Sequence, residues 1–308
     1  MLWVLVSCVP LVAGHGGILY PPAWQAGEAI PIDEITSYKV YSDPPVNDPK
    51  IPWNNITELK SWLTNQAYLG GHGVKYSGQG TATNPECIKA EPWHKRDKCK
   101  ALKTPWAAPG RTISLGGGCG IYGGNPYGCY VNNDTRPPGT PCGGGTWAFG
   151  SSALDIDFPN ALTTEWELGS IQDVAWGTSG FHWGGYTYRL CKIPAEGKKG
   201  ITEECFAQNV LKFSTPYTMM RHMLYTDEDW LKVDQNDLTE GTYPVGSAWR
   251  HVATATTTGD GYLRKDSVVV PESLPEGDYV LSLRWDTADP QVWSSCANIR
   301  LVAPQIIG

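Results

Sequence analysis

Three runs of period-two alternation constrain this chain more than any other feature. Tyr279, Leu281, Leu283 and Trp285 alternate with Val280, Ser282 and Arg284. Tyr186, Tyr188 and Leu190 alternate with Thr187 and Arg189, and Leu154, Ile156 and Phe158 alternate with Asp155 and Asp157. Successive side chains of a strand point to opposite faces, so each run predicts an antiparallel strand with one buried and one wet face. Pro271 to Asp278 predicts the turn before the last long strand. Composition points the same way. The 35 glycines and 24 prolines among 308 residues are about 19% of the chain, against a usual ~12%. Helix-rich folds tolerate neither residue well. The expected fold is all-β, a sandwich with long loops and a few short helices. One such helix is predicted over 58–69, where Leu59, Trp62, Leu63 and Leu69 recur at helical spacing behind Asn55 or Thr57 as cap.

Residues 1–14 (MLWVLVSCVPLVAG) carry no charged side chain, and Val12, Ala13 and Gly14 form a small-residue cleavage pattern. The run is too short to span a bilayer. It reads as a secretion signal removed before His15, leaving residues 15–308 as a single domain, because no Ser/Thr-rich linker interrupts them. Apart from Cys8, eight cysteines remain, an even number that suits up to four disulfides in an oxidising compartment. Short loops favour Cys119–Cys129 and Cys191–Cys205, although eight cysteines allow 105 connectivities. Residues 116–150, with 12 glycines and three cysteines, read as a disulfide-pinned loop region. Asn55-Ile56-Thr57 and Asn133-Asp134-Thr135 are glycosylation sequons. The chain is expected outside the cell.

A net charge of −7 argues against a nucleic-acid partner. No segment beyond the leader is long and apolar enough for a membrane span. The 14 Trp and 15 Tyr outnumber 5 Phe, which suits both a packed β core and a surface for flat, hydroxyl-rich ligands.

Cleavage after Gly14 makes His15 the first residue. An N-terminal His offers its α-amine and its imidazole to one metal, and a second His completes a three-nitrogen set that suits copper. His72, His94, His182, His222 and His251 are the candidates. His182 stands out, because it lies on a Gly-flanked loop that runs directly into the predicted strand from Tyr186, and a strand end is a rigid mount.

His15-Gly16-Gly17-Ile18-Leu19-Tyr20-Pro21-Pro22 resembles the mature start of the copper lytic polysaccharide monooxygenases, a family that includes chitin-binding type 4 domains. His182-Trp183-Gly184-Gly185-Tyr186 through Cys191 resembles that family's second-histidine motif. Asp278-Tyr279-Val280-Leu281 with Arg284-Trp285 is similar to its penultimate strand, and Gln291 to Ala297 to its final strand, with Trp293 where Tyr or Phe is usual. The nearest look is the animal and algal type. The match spans both ends of residues 15–308 in the right order, while 16–115 and the middle of the chain follow no subfamily.

The resemblance implies an immunoglobulin-like β-sandwich holding one copper ion between His15 and His182 on a flat face. It implies oxidative cleavage of an insoluble β-1,4-linked polysaccharide, cellulose or chitin, at C1 or C4. An external electron donor and hydrogen peroxide or dioxygen would be co-substrates, and the protein would act as a monomer. Gln291 would then hydrogen-bond the oxygen co-substrate, Trp293 would wall off the axial side of the copper, and Tyr20 or Trp183 would stack on a sugar ring. Such chemistry needs no carboxylate pair, so a two-carboxylate hydrolase is not expected. Two other readings keep the fold: a copper-binding protein without oxygenase activity, and a carbohydrate-binding or matrix protein.

Overall fold

The computed structural model describes residues 15–26, 29, 31–32, 65–66, 116–122, 151–179, 184–222, 230–235, 237–239, 242–252, 262–286 and 292–305. Fourteen strands occur among them. In chain order they are β1 (His15–Tyr20), β2 (Asn65–Gln66), β3 (Ile121–Tyr122), β4 (Ser151–Ser152), β5 (Thr163–Glu167), β6 (Ile171–Ser179), β7 (Gly185–Lys192), β8 (Lys212–Phe213), β9 (Tyr217–His222), β10 (Leu231–Asp234), β11 (Arg250–His251), β12 (Tyr262–Val269), β13 (Gly277–Asp286) and β14 (Val292–Val302). One short helix, α1 (Glu203–Gln208), is capped by Thr202, whose Oγ1 accepts the Cys205 N–H.

The strands form an all-β sandwich. The first sheet runs β1-β6-β12-β9-β10, with β8 also paired to β12, and the second runs β11-β7-β13-β14-β5. Pairing is antiparallel except between β14 and β5, which are parallel. Strands β2, β3 and β4 form a small third sheet. Between the two large sheets lies a core rich in rings: Trp166, Trp176, Tyr186, Tyr188, Trp285 and Trp293 are all buried there. The ladder partners Tyr279 to Trp285 and Tyr186 to Leu190 supply its aliphatic and aromatic alternation.

The expected wet face of β7 and β13 is overturned. Thr187, Arg189, Val280, Ser282 and Arg284 are buried along with the inward residues. A second apolar layer covers that side, in which Trp24, Cys119, Ala153, Phe158, Ile201 and Phe206 pack on Val280 and on both disulfides. Arg189 and Arg284 are tolerated there because Glu203 of α1 bonds both, and Arg284 also grips Asp286 at 2.7 and 3.1 Å.

Other expectations change as well. Cys119 bonds Cys296, not Cys129, tying the turn at Gly116–Gly118 to β14 across 177 residues, whereas Cys191–Cys205 is as expected. The alternation at Leu154 to Phe158 is not a strand. Ser152 Oγ accepts the Leu154 N–H and starts a 3-10 turn over Ala153–Asp155. Asn65–Gln66 pair with Ile121–Tyr122, so the predicted helix does not extend through them, and its remaining residues lie outside the described ones. The turn at Pro271 to Glu276 is present, and the two long strands β13 and β14 follow it. Cys87, Cys99, Cys129 and Cys142 and both sequons lie outside the described residues. None of the described helices is long and apolar enough to cross a membrane.

Candidate functional site

β1 begins at His15, and among the described residues its ladder partner is β6 alone, which places it at the edge of the first sheet. In that ladder His15 pairs with Ser179, the last residue of β6. The chain returns at Gly184, whose φ of 82° is a conformation that glycine adopts at little cost. Gly184 O accepts the Val252 N–H at 3.1 Å, and Gly185 opens β7. The connection 180–183, which carries His182 and Trp183, lies outside the described residues. Its flanking residues Ser179 and Gly185 are held in ladders of the first and second sheets.

Several termini gather at this end of the sandwich. Gly185 pairs with His251 and with Asp286, and Asp286 pairs with Val292, the first residue of β14. His222 pairs with Tyr262, which pairs in turn with Thr178. The backbones of His222 and His251 thus reach the same end as His15, whereas His72 and His94 lie outside the described residues. Gln291 also lies outside them, one residue before β14. No group of three or more His, Cys, Asp or Glu side chains that could hold a metal occurs among the described residues.

Trp293 is 1% exposed and stacks on Trp285 with ring centroids 6.4 Å apart. Trp285 in turn packs on Trp176 at 5.4 Å and lies directly beneath β1, where a Cβ built on Gly16 would fall 2.9 Å from its Cε3. Tyr20 is half-buried against Ala175 and Leu263 at the other end of β1. At a strand's rise of ~3.3 Å per residue it stands roughly 16 Å from His15. The structure therefore brings Trp293 under the β1 start through one intervening ring and leaves Tyr20 remote from it.

Two buried charge clusters escaped sequence reasoning, because their partners are far apart along the chain. In the first, burial would raise the Glu203 carboxyl, but Arg189 and Arg284 outweigh it and hold the pKa at about 2. Burial lowers the pKa of Arg189. The second lies between the sheets. Asp266 accepts from Arg250 at 2.8 Å, from Thr218 at 2.6 Å and from Tyr186 at 2.9 Å. Burial pushes the Asp266 carboxyl up against the pull of Arg250, and burial with the nearby Asp266 raises the Tyr186 and Tyr188 phenols. The Tyr188 hydroxyl is buried without a hydrogen-bond partner. The one signal available beforehand was the pair of Arg residues at alternating positions in otherwise apolar strands.

No protein-family model matches the chain, and no curated protein sequence matches it. Among solved structures it is similar to the AA15 lytic polysaccharide monooxygenase from Thermobia domestica in the Cu(I) state, at 16% identity and a TM-score of 0.29 over 55% of this chain and 72% of that one. It is similar to the cellulose-active lytic polysaccharide monooxygenase CelS2 in complex with copper, at 16% identity and a TM-score of 0.26 over 58% and 74% of the two chains. It is also similar to fusolin of the Wiseana entomopoxvirus spindles, at 12% identity and a TM-score of 0.34 over 94% and 83%. Similarities at these TM-scores assign no residue a role.

Proposed function

We propose that the chain is a secreted copper-dependent enzyme that oxidatively cleaves an insoluble β-1,4-linked polysaccharide. The observation that carries the reading is the register of His15 with Ser179, three residues before His182. Three residues of chain span roughly 10 Å at most, which supports the reading that His182 shares the end of the sandwich where His15 lies. The donor chemistry fits copper: one amine and two imidazoles make a nitrogen set that copper takes in tetragonal geometry.

In this reading, removal of residues 1–14 frees the His15 α-amine, and His15 and His182 hold one copper ion. Bound copper supplies the one-electron chemistry with peroxide or dioxygen by which a C–H bond at C1 or C4 of the sugar is oxidised. The chain's own residues position and shield. A free α-amine ordinarily titrates at ~7.7–8.0 and sheds its proton to bind a metal, while each imidazole binds in its neutral form. Trp293 backs the Trp285 ring beneath the site as an apolar layer whose indole N–H can only donate. Gln291 donates or accepts a hydrogen bond at the oxygen co-substrate, and Trp183 offers a ring to the polysaccharide.

The test is mass spectrometry of products released from cellulose and chitin by the mature, copper-loaded chain with a reductant and peroxide. Oxidised oligosaccharides that vanish in His182→Ala support the reading. Tight copper binding without such products leaves a copper-binding protein. No copper binding at all leaves a carbohydrate-binding or matrix protein.

A further inference from the structure

We propose that Trp285 is a positioning residue that sets where the chain from His15 starts, and that Gly16 is the complement that lets β1 seat on it. The inference rests on the copper reading of His15 given above.

A strand that starts at a chain terminus and lies at a sheet edge is poorly fixed. Among the described residues β1 has a ladder partner on one side only, and terminal residues fray unless something else ties them down. A metal site that draws ligands from two strands needs the opposite, with its first ligand held to within about 0.5 Å. The missing constraint is under residue 16. A Cβ there would lie 2.9 Å from Trp285 Cε3 and 3.2 Å from Cζ3, with Gly177 O at 3.4 Å behind it. The indole cannot give way. It is 0% exposed, it is packed by Trp176 and Trp293, and its strand is paired on both sides. Only a residue without a side chain can close onto this floor.

The same indole also links the two sheets. Trp285 belongs to β13 and pairs across the ladder with Tyr186 and with Trp293. Tyr186 is the second residue of β7, the strand entered from the connection that carries His182. One rigid ring thus fixes the spacing between the strand that begins at His15 and the strands beside the other proposed site segments. This is close packing used as a ruler, since interiors transmit rather than absorb small displacements.

The experiment compares the chain starting at His15 with Gly16→Ala, Trp285→Leu and the double variant. Leucine removes both ring atoms that face residue 16, and Trp285→Phe serves if the Leu variant does not fold. Copper affinity, the Cu(II) EPR spectrum and amide exchange of residues 16–18 in the metal-free protein are measured. Gly16→Ala is expected to weaken copper binding on the order of 10-fold, as loss of a supporting group around a metal ligand does, to change the spectrum and to speed exchange in β1. The double variant is expected to regain affinity, spectrum and protection relative to Gly16→Ala, a coupling that independent sites lack. Parent affinity and spectrum in Gly16→Ala, or losses that simply multiply in the double variant, overturn the proposal. If the parent binds no copper yet exchange follows the expected pattern, the copper reading falls and the positioning role stands.

Discussion

Glu203 on α1 and Arg284 on β13 meet at 2.5 Å on the outer side of the second sheet, and Arg189 bonds the same Glu203 oxygen. Two strands and a helix thereby share one carboxylate. The Glu203 pKa of about 2 lies below its unfolded value of 4.5. The resulting stability is present above pH ~4.5 and is lost as pH falls towards 2, and it amounts to about 3 kcal/mol at most.

Glu203→Gln removes the carboxylate that pairs buried Arg189 and leaves Arg284 with Asp286 alone, so it should cost about 3 kcal/mol at pH 7. Thermal unfolding followed from pH 7 to pH 2 checks it. The parent should lose stability between about pH 5 and pH 2, and the variant should lose distinctly less over that window.

The two disulfides should differ in weight. Cys119–Cys296 closes 177 residues and Cys191–Cys205 closes 14. Loop-closure entropy gives roughly 5 kcal/mol for the first and roughly 3 kcal/mol for the second. Denaturant unfolding of the two double-serine variants should show the larger loss for Cys119→Ser with Cys296→Ser.

Copper binding should demand a free terminus. A chain with one alanine ahead of His15 replaces the amine by an amide, which has no lone pair to offer at neutral pH. Calorimetric titration should show a large loss of affinity against the chain starting at His15. The affinity of the latter should fall as pH drops through the imidazole range near ~6.5. Equal affinity in the two proteins would refute the site.

Trp293→Tyr should alter the Cu(II) EPR spectrum without abolishing binding, since the ring lies under the β1 start only by way of Trp285. An unchanged spectrum alongside a lowered melting temperature would make Trp293 a core residue alone.

Strand positions in β7 and β13 were legible from alternation, because the inward phase there is unbroken from Tyr186 to Leu190 and from Tyr279 to Trp285. Their second face was not, because its cover comes from α1, the Gly116–Gly118 turn and Trp24, none of which is near β13 in sequence. Leu154 to Phe158 misled for a local reason: a capping serine outcompetes alternation over so short a run. Cys119 found Cys296 rather than Cys129 because pairing follows the packed layer, not the shortest loop. At the proposed site, the Trp285 floor beneath Gly16 was not legible, since nothing in a Gly or a Trp announces their contact.

The order of the second sheet also bears on how the molecule forms. β14, the last strand in sequence, is inserted between β13 and β5, and its Cys296 carbonyl accepts the Trp24 N–H. The sheet therefore stays split until residues beyond 292 arrive, and Trp24, though it also packs on Phe158 and Lys198, gains its backbone partner only then. Contacts so distant along the chain close slowly. Native structure at the His15 end must therefore wait for β14, so folding there is governed by contacts that close last.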